Sequence, residues 1–310
     1  MDFQIVSQSV TTQVLVMLIL IIIGYVISKK DILTQKGASE MSTVLINIVT
    51  PCVIIKAYHI KFMKSEITNL FIAYCVSIAV HIIYILLARV YFWKTQDKHK
   101  KMINRLSGAF SNCGFMGIPL IEACFGTAGV FFGSAYLCIF HVFIWTYCKR
   151  VFEKSEGHKS RVNLLNPGII GVTLGLFFYF TQIKLPVFAY NSISFLADLN
   201  TPLAMIVLGN FLARSGIIKS LKDPGVYTVS LFKLLLAPLL LAFCLSFINA
   251  DPVMAISIVI SAACPVAAII PIFANRHHSD YDYATNLTVA TTVISLVTIP
   301  VVSIISSFIL

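Results

Sequence analysis

The chain reads as long apolar runs separated by short polar connections. Ten runs approach membrane-spanning length, at about 5–28, 38–58, 66–90, 106–125, 127–148, 166–183, 189–212, 224–248, 253–275 and 282–308. A helix needs about 20 mostly apolar residues to cross a bilayer. The pattern therefore predicts an all-α polytopic membrane protein of ten transmembrane helices. The first run follows Met1-Asp2-Phe3-Gln4 without a basic leader and is longer than a signal-peptide core. It is expected to be the first span and not a cleaved signal.

Two runs are interrupted by residues hostile to helix. One reads Leu106-Ser-Gly-Ala-Phe-Ser-Asn112-Cys113-Gly114-Phe-Met-Gly117-Ile-Pro119-Leu120, the other Ile260-Ser-Ala-Ala-Cys264-Pro265-Val-Ala-Ala-Ile-Ile-Pro271. A break within lipid leaves backbone N–H and C=O groups unpaired, and is tolerated only where protein or a watery cavity surrounds it. A matched pair of such runs, one per half, points to the substrate site of a secondary transporter.

The two halves also share other landmarks. Val49-Thr50-Pro51 parallels Asn200-Thr201-Pro202, and Pro119 parallels either Pro265 or Pro271. The expected division is a first five-helix repeat at 1–148, a connecting loop at 149–165, and a second five-helix repeat at 166–310. A five-span unit re-enters the membrane from the opposite side, so the repeat is predicted to be inverted, with a pseudo-two-fold axis in the membrane plane.

Composition agrees with the pattern. Of 310 residues 58% are hydrophobic and 12% charged, with a mean hydropathy of +0.89. The net charge of +10 at first suggests a nucleic-acid partner, but its placement argues for topology instead. Of the 23 Lys and Arg residues, 18 lie in the odd-numbered connections or their flanks, including Lys98–Arg105, Lys149–Arg161 and Arg276. The positive-inside rule then predicts cytoplasmic odd loops and both termini outside a cytoplasmic membrane. The eight Cys carry no metal-ligand spacing, and no nucleotide, metalloprotease or Ser/His/Asp motif occurs. No enzyme activity, cofactor or metal is expected.

Several residues are candidates for chemistry. Asn112 is an amide midway through a span and needs a partner there. Gly114 and Gly117 beside it permit close backbone approach. Pro119 and Pro265 each remove a backbone donor. Lys233 is a charge near mid-depth, to be matched by substrate, by Asp198 or by snorkelling. Asp198, just before Asn200, is the ion-coupling candidate. The expected substrate-binding set is Asn112, Gly114, Gly117, Pro119, Pro265, Lys233 and Asn200. His81 and His141 read first as buried core histidines and second as proton relays, and Glu122 reads as a solvated carboxylate at a helix end.

The chain resembles the auxin efflux carrier family, which includes plant auxin exporters and bacterial members linked to malate or malonate. The resemblance rests on Asn112-Cys-Gly-Phe-Met-Gly117-Ile-Pro119-Leu, on Cys264-Pro265 followed by Ala274-Asn-Arg, and on Pro51. It also rests on Pro202-Leu-Ala-Met-Ile-Val-Leu-Gly209 and Phe232-Lys233-Leu-Leu-Leu-Ala-Pro238. It implies crossed, broken helices 4 and 9, as in bile-acid symporters and sodium–proton antiporters, with substrate beside the crossing. Two features depart from the family: the central loop is short, and Ile269 stands where many bacterial relatives carry Asn.

The expected function is secondary active transport of an organic anion, a carboxylate such as an auxin-like compound or a dicarboxylate, by alternating access. Its partners would be that anion, membrane lipid, and a proton or sodium as coupling ion. A homodimer is left open. The alternative is a transporter-like membrane sensor without net transport.

Overall fold

The computed structural model describes residues 3–61, 64–155, 167–215, 221–248 and 250–310. The connecting loop expected at 149–165 lies outside the described residues from 156 onward, as do Lys159, Arg161 and Lys219.

The described residues are helical, with no strands. In chain order we label α1 (Phe3–Lys29), α2 (Gln35–Tyr58), α3 (Lys64–Tyr91), α4 (Lys98–Ala109), α5 (113–125) and α6 (127–155). There follow α7 (Pro167–Thr181), α8 (Val187–Asp198), α9 (Asn200–Arg214), α10 (Pro224–Leu245), α11 (Pro252–Ala263), α12 (Ile269–Arg276) and α13 (Tyr281–Ile309). Among the described residues seven helical stretches are long and apolar enough to cross a membrane, which makes this a multi-pass membrane protein. That number is below the ten expected from the apolar runs, for local reasons. The stretch Cys113–Lys154 covers two runs, divided at Gly126, where φ is +59° and ψ −146°. The run at 253–275 is split into α11 and α12, and α7 has only 15 residues.

Four of the 13 acidic residues cap helices. Asp97, Asp223, Asp251 and Asp280 accept from the backbone N–H of Lys100, Gly225, Met254 and Tyr283 at 2.8–3.0 Å, meeting donors that a helix start leaves unpaired. Small residues let helices approach where lipid supplies no hydrophobic drive. A Cβ on Gly209 would strike the backbone of Ile21, Gly24 and Tyr25, so α1 and α9 touch backbone to backbone. The contact is sealed at one end by polar bonds. Asn210 Nδ2 donates to Ser28 Oγ (2.8 Å) and Leu33 O (3.0 Å), and Arg214 pairs with Asp31 at 2.6 Å.

Three prolines lie just past a widened, π-type turn. The turns are Leu45–Val49 before Pro51, Cys113–Gly117 before Pro119, and Phe232–Leu236 before Pro238. Proline lacks an N–H and its ring crowds an upstream carbonyl. A widened turn moves that carbonyl away, so each helix continues past its proline.

Candidate functional site

The two interrupted runs meet. After α4 the backbone extends through Phe110, and after α11 through Cys264. Ser111 and Val266 form an isolated antiparallel bridge. Asn112 N–H donates to Pro265 O (2.8 Å), and Ala267 N–H donates to Phe110 O (3.1 Å). Val266 N–H donates to Thr291 Oγ1 of α13 at 3.2 Å. Each break thus supplies partners for the other, which removes much of the cost of unpaired backbone in an apolar surround.

A small cavity of about 50 Å³ lies against this crossing, and a larger one of about 480 Å³ shares five lining residues with it, among them Ser42, Ile46 and Phe211. The larger volume falls within the roughly 300–1,000 Å³ usual for small-molecule sites. The small cavity is lined by Asn112, Gly114 and Phe115 on one side, and Ala267, Ala268 and Ile269 on the other. It therefore touches the N-terminal ends of both α5 and α12. The larger cavity carries Asn47, Asn275 and Arg276.

Two polar side chains on the small cavity lack partners. Asn112 is 5% exposed, and its Nδ2 makes no hydrogen bond. His141 is 7% exposed, and neither ring nitrogen is bonded. A buried donor without a partner is costly to a fold. Gly168 of α7 packs on the His141 ring, where a Cβ would collide with it.

The remaining sequence candidates divide. Gly114 lines the small cavity, and its carbonyl accepts from Asn200 Nδ2 at 3.2 Å. Pro119 accounts for that bond: in the widened turn Ile118 N–H bonds Cys113 O, and Pro119 has no N–H to offer Gly114 O in the next register. Asn200, 5% exposed, fills the gap from α9. Pro119 itself lies past the break, in the first turn of the regular helix after Gly117, and does not cause the interruption. Gly117 packs on α11: a Cβ there would stand 3.3 Å from Cys264 Sγ.

Lys233 is wholly buried and donates to Ala262 O at 3.1 Å, with its ammonium 5.5 Å from the Tyr84 ring centroid. It thus binds the last turn of α11, where a helix offers unpaired carbonyls and the negative end of its dipole. It lines neither cavity described above. The pairing with Asp198 weighed for it does not occur. Asp198 ends α8 with its side chain 59% exposed and bonds Lys56 Nζ at 2.6 Å. Lys56, Asp198, Glu122 and Asn200 line a separate cavity of about 130 Å³.

His81 is stacked on Phe143 (5.4 Å, 16°), and its Nδ1 bonds Ser77 O at 2.8 Å while its Nε2 is buried without a partner; it lines neither cavity. From the sequence alone His141 falls in the same class. A single His in an apolar run carries no pattern that separates the two; His141 differs in lining the small cavity with both ring nitrogens unbonded, and that cavity is built by other helices.

Comparison with known proteins bears on what such a site serves. The family described as membrane transport protein matches residues 9–163 and 158–303. An uncharacterised transporter of Methanothermobacter thermautotrophicus is 25% identical over 302 residues, covering 95% of this chain and 98% of the relative. An uncharacterised transporter of Methanocaldococcus jannaschii is 26% identical over 242 residues, covering 73% and 75%.

Proposed function

The chain belongs to the membrane transport protein family, that of the auxin efflux carriers, and from that premise we propose that it is a secondary active carrier moving an organic anion by alternating access. It is a transporter and not an enzyme. The observation that carries the anion reading is the unpartnered pair Asn112 and His141 on one cavity beside two helix N-termini. Those termini carry partial positive charge. Asn112 Nδ2 and a ring N–H of His141 supply donors, and Arg276 in the adjoining cavity supplies a full charge. A carboxylate, either auxin-like or one end of a dicarboxylate, meets all of these.

The ten-span inverted repeat belongs to the same reading. Gly24 and Gly175 stand at the 151-residue offset that relates Pro51 to Pro202. Gly24 packs on Ile206 where α1 meets α9, and Gly175 packs on Tyr58 where α7 meets α2. Equivalent contacts in the two halves support a pseudo-two-fold relation. The division into halves at 1–148 and 166–310 rests on the shared landmarks, and a cytoplasmic loop between them with outward-facing termini at the cell membrane rests on the basic asymmetry. Asp198, with Lys56, is the candidate for coupling a proton or sodium.

The test is uptake of labelled carboxylates into proteoliposomes under imposed proton or sodium gradients, with Asn112→Ala beside the wild type. Saturable flux that the substitution weakens supports the carrier. Carboxylate binding without flux would replace it with a receptor.

A further inference from the structure

A second groove lies away from the crossing, where α3 ends, α4 begins and α6 ends. It has a volume of about 430 Å³ and is lined by Arg89, Lys98, Lys101, Arg105 and Lys154, with His99 at its edge. Among the described residues no carboxylate lines it. The nearby acids are committed elsewhere: Asp97 caps α4, Asp223 pairs with Lys100, and Glu153 pairs with Lys149. Among the described residues none of the five cations has a carboxylate partner. Arg105 donates once, to Arg89 O at 3.2 Å, and its Nε is buried without an acceptor. A desolvated guanidinium N–H needs an acceptor, and phosphate oxygens suit its planar fork.

The surroundings select the form of the phosphate. The outer face of α3 is apolar and exposed through Ile82, Ile83, Leu86 and Val90, and ends in Tyr91 and Trp93, the latter 64% exposed. Aromatic residues at the end of a lipid-facing run mark the headgroup level. Arg89 lies at that level, and Met102, Leu106 and Val151 give the groove an apolar wall. Basic pockets between helices at this depth suit anionic headgroups.

We propose that the groove between the ends of α3 and α6 and the start of α4 binds the phosphodiester headgroup of an anionic phospholipid, with Arg105 and Arg89 holding the phosphate and Lys98 and Lys101 supplying the surrounding charge. The site stands apart from the anion carried at the crossing.

The test is thermal stability and native mass spectrometry of the full chain in detergent, with phosphatidylglycerol, phosphatidylcholine or inorganic phosphate added. Phosphatidylglycerol is expected to raise the melting midpoint and leave bound adducts; phosphatidylcholine and inorganic phosphate are expected to do neither. Arg89→Gln/Arg105→Gln should lose more than half of the shift and of the adducts. Lys98→Gln/Lys101→Gln, whose side chains make no bond the fold needs, provides a second measure and should lose a smaller part. Unchanged phosphatidylglycerol binding in both variants, equal stabilisation by phosphatidylcholine, or full stabilisation by inorganic phosphate alone would each overturn the proposal.

Discussion

The backbone N–H of Asn112 donates to the carbonyl of Pro265, while the Asn112 amide nitrogen faces the cavity without a partner. In the proposed carrier one residue thus joins the two broken segments through its main chain while its side chain is the part that meets the ligand. Asn112→Ala separates the two roles. The crossing should persist, because its bonds are backbone bonds, and thermal stability should change little. Carboxylate affinity should fall by about 2–12-fold, the equivalent of one hydrogen bond of roughly 0.5–1.5 kcal/mol. Isothermal titration beside a melting curve checks both; a large loss of stability at unchanged affinity would return the side chain to the fold.

His141→Phe keeps an aromatic ring against Gly168 and removes both unpartnered nitrogens. Stability should hold or rise slightly, since deleting unsatisfied buried polar atoms costs little. Flux in proteoliposomes should drop several-fold. Wild-type flux would make His141 a packing residue only.

Lys233 acts through the fold in this arrangement. Lys233→Ala removes the bond to Ala262 O and empties the space of a fully buried side chain, a change expected to cost about 2–5 kcal/mol. Lys233→Met refills the space and should recover a good part of the loss. Melting midpoints of the three proteins decide it. If Lys233→Ala is as stable as the wild type and loses only transport, the lysine serves the substrate.

Gly209→Ala tests the backbone contact of α1 with α9. The added methyl has no side chain to displace, only the main chain of Ile21, Gly24 and Tyr25. Overpacking of this kind costs about 1–3 kcal/mol, and a lowered midpoint with reduced accumulation in the membrane is expected. A neutral result would mean the helices part there without penalty.

The pair Lys100–Asp223, 2.8 Å apart, ties the start of α4 to the start of α10. Burial pushes the Asp223 carboxyl up, but the Lys100 ammonium and the Gly225 N–H outweigh it and hold it below its ordinary value. The bond to Asp223 holds Lys100 above its ordinary value. Stabilisation from the depressed Asp223 is present above its unfolded pKa and drains away as pH falls through the folded one. That from Lys100 is present below its unfolded pKa and is lost only as pH rises through its raised one. Asp223→Asn should therefore lower stability by no more than about 1 kcal/mol across neutral pH, both groups being partly exposed. The gap from the wild type should close as the medium is acidified below about pH 4. A gap that persists in acid would mean that the aspartate contributes by shape and not by charge.

The interruptions were legible because Gly, Pro and a lone Asn conflict with an apolar helix, and that conflict is visible in a few consecutive letters. Lys233 was conspicuous for the same reason. Its partner was not, since Ala262 offers only a carbonyl and every residue has one. Asp198 looked like the natural counter-charge by elimination, yet packing of α2 beside α8 brings Lys56 to it instead. Pro119 illustrates a subtler gap. Its composition says break, but the widened turn before it absorbs the clash, and the true interruption falls at Phe110–Asn112. Such a turn depends on what surrounds the helix and has no compositional mark of its own.

The widened turns have a geometric corollary. Each holds one residue more than a regular helix needs, and one residue corresponds to about 100° of rotation about the axis. Side chains before and after the turn in α2 and α10 are therefore out of phase by about that angle. A stripe that would run straight along a regular helix is split, so that one end of α2 presents Ser42 and Ile46 to the cavities while the other packs Pro51 and Tyr58 on α7. A single inserted residue lets one helix address two neighbours in different directions without a loop.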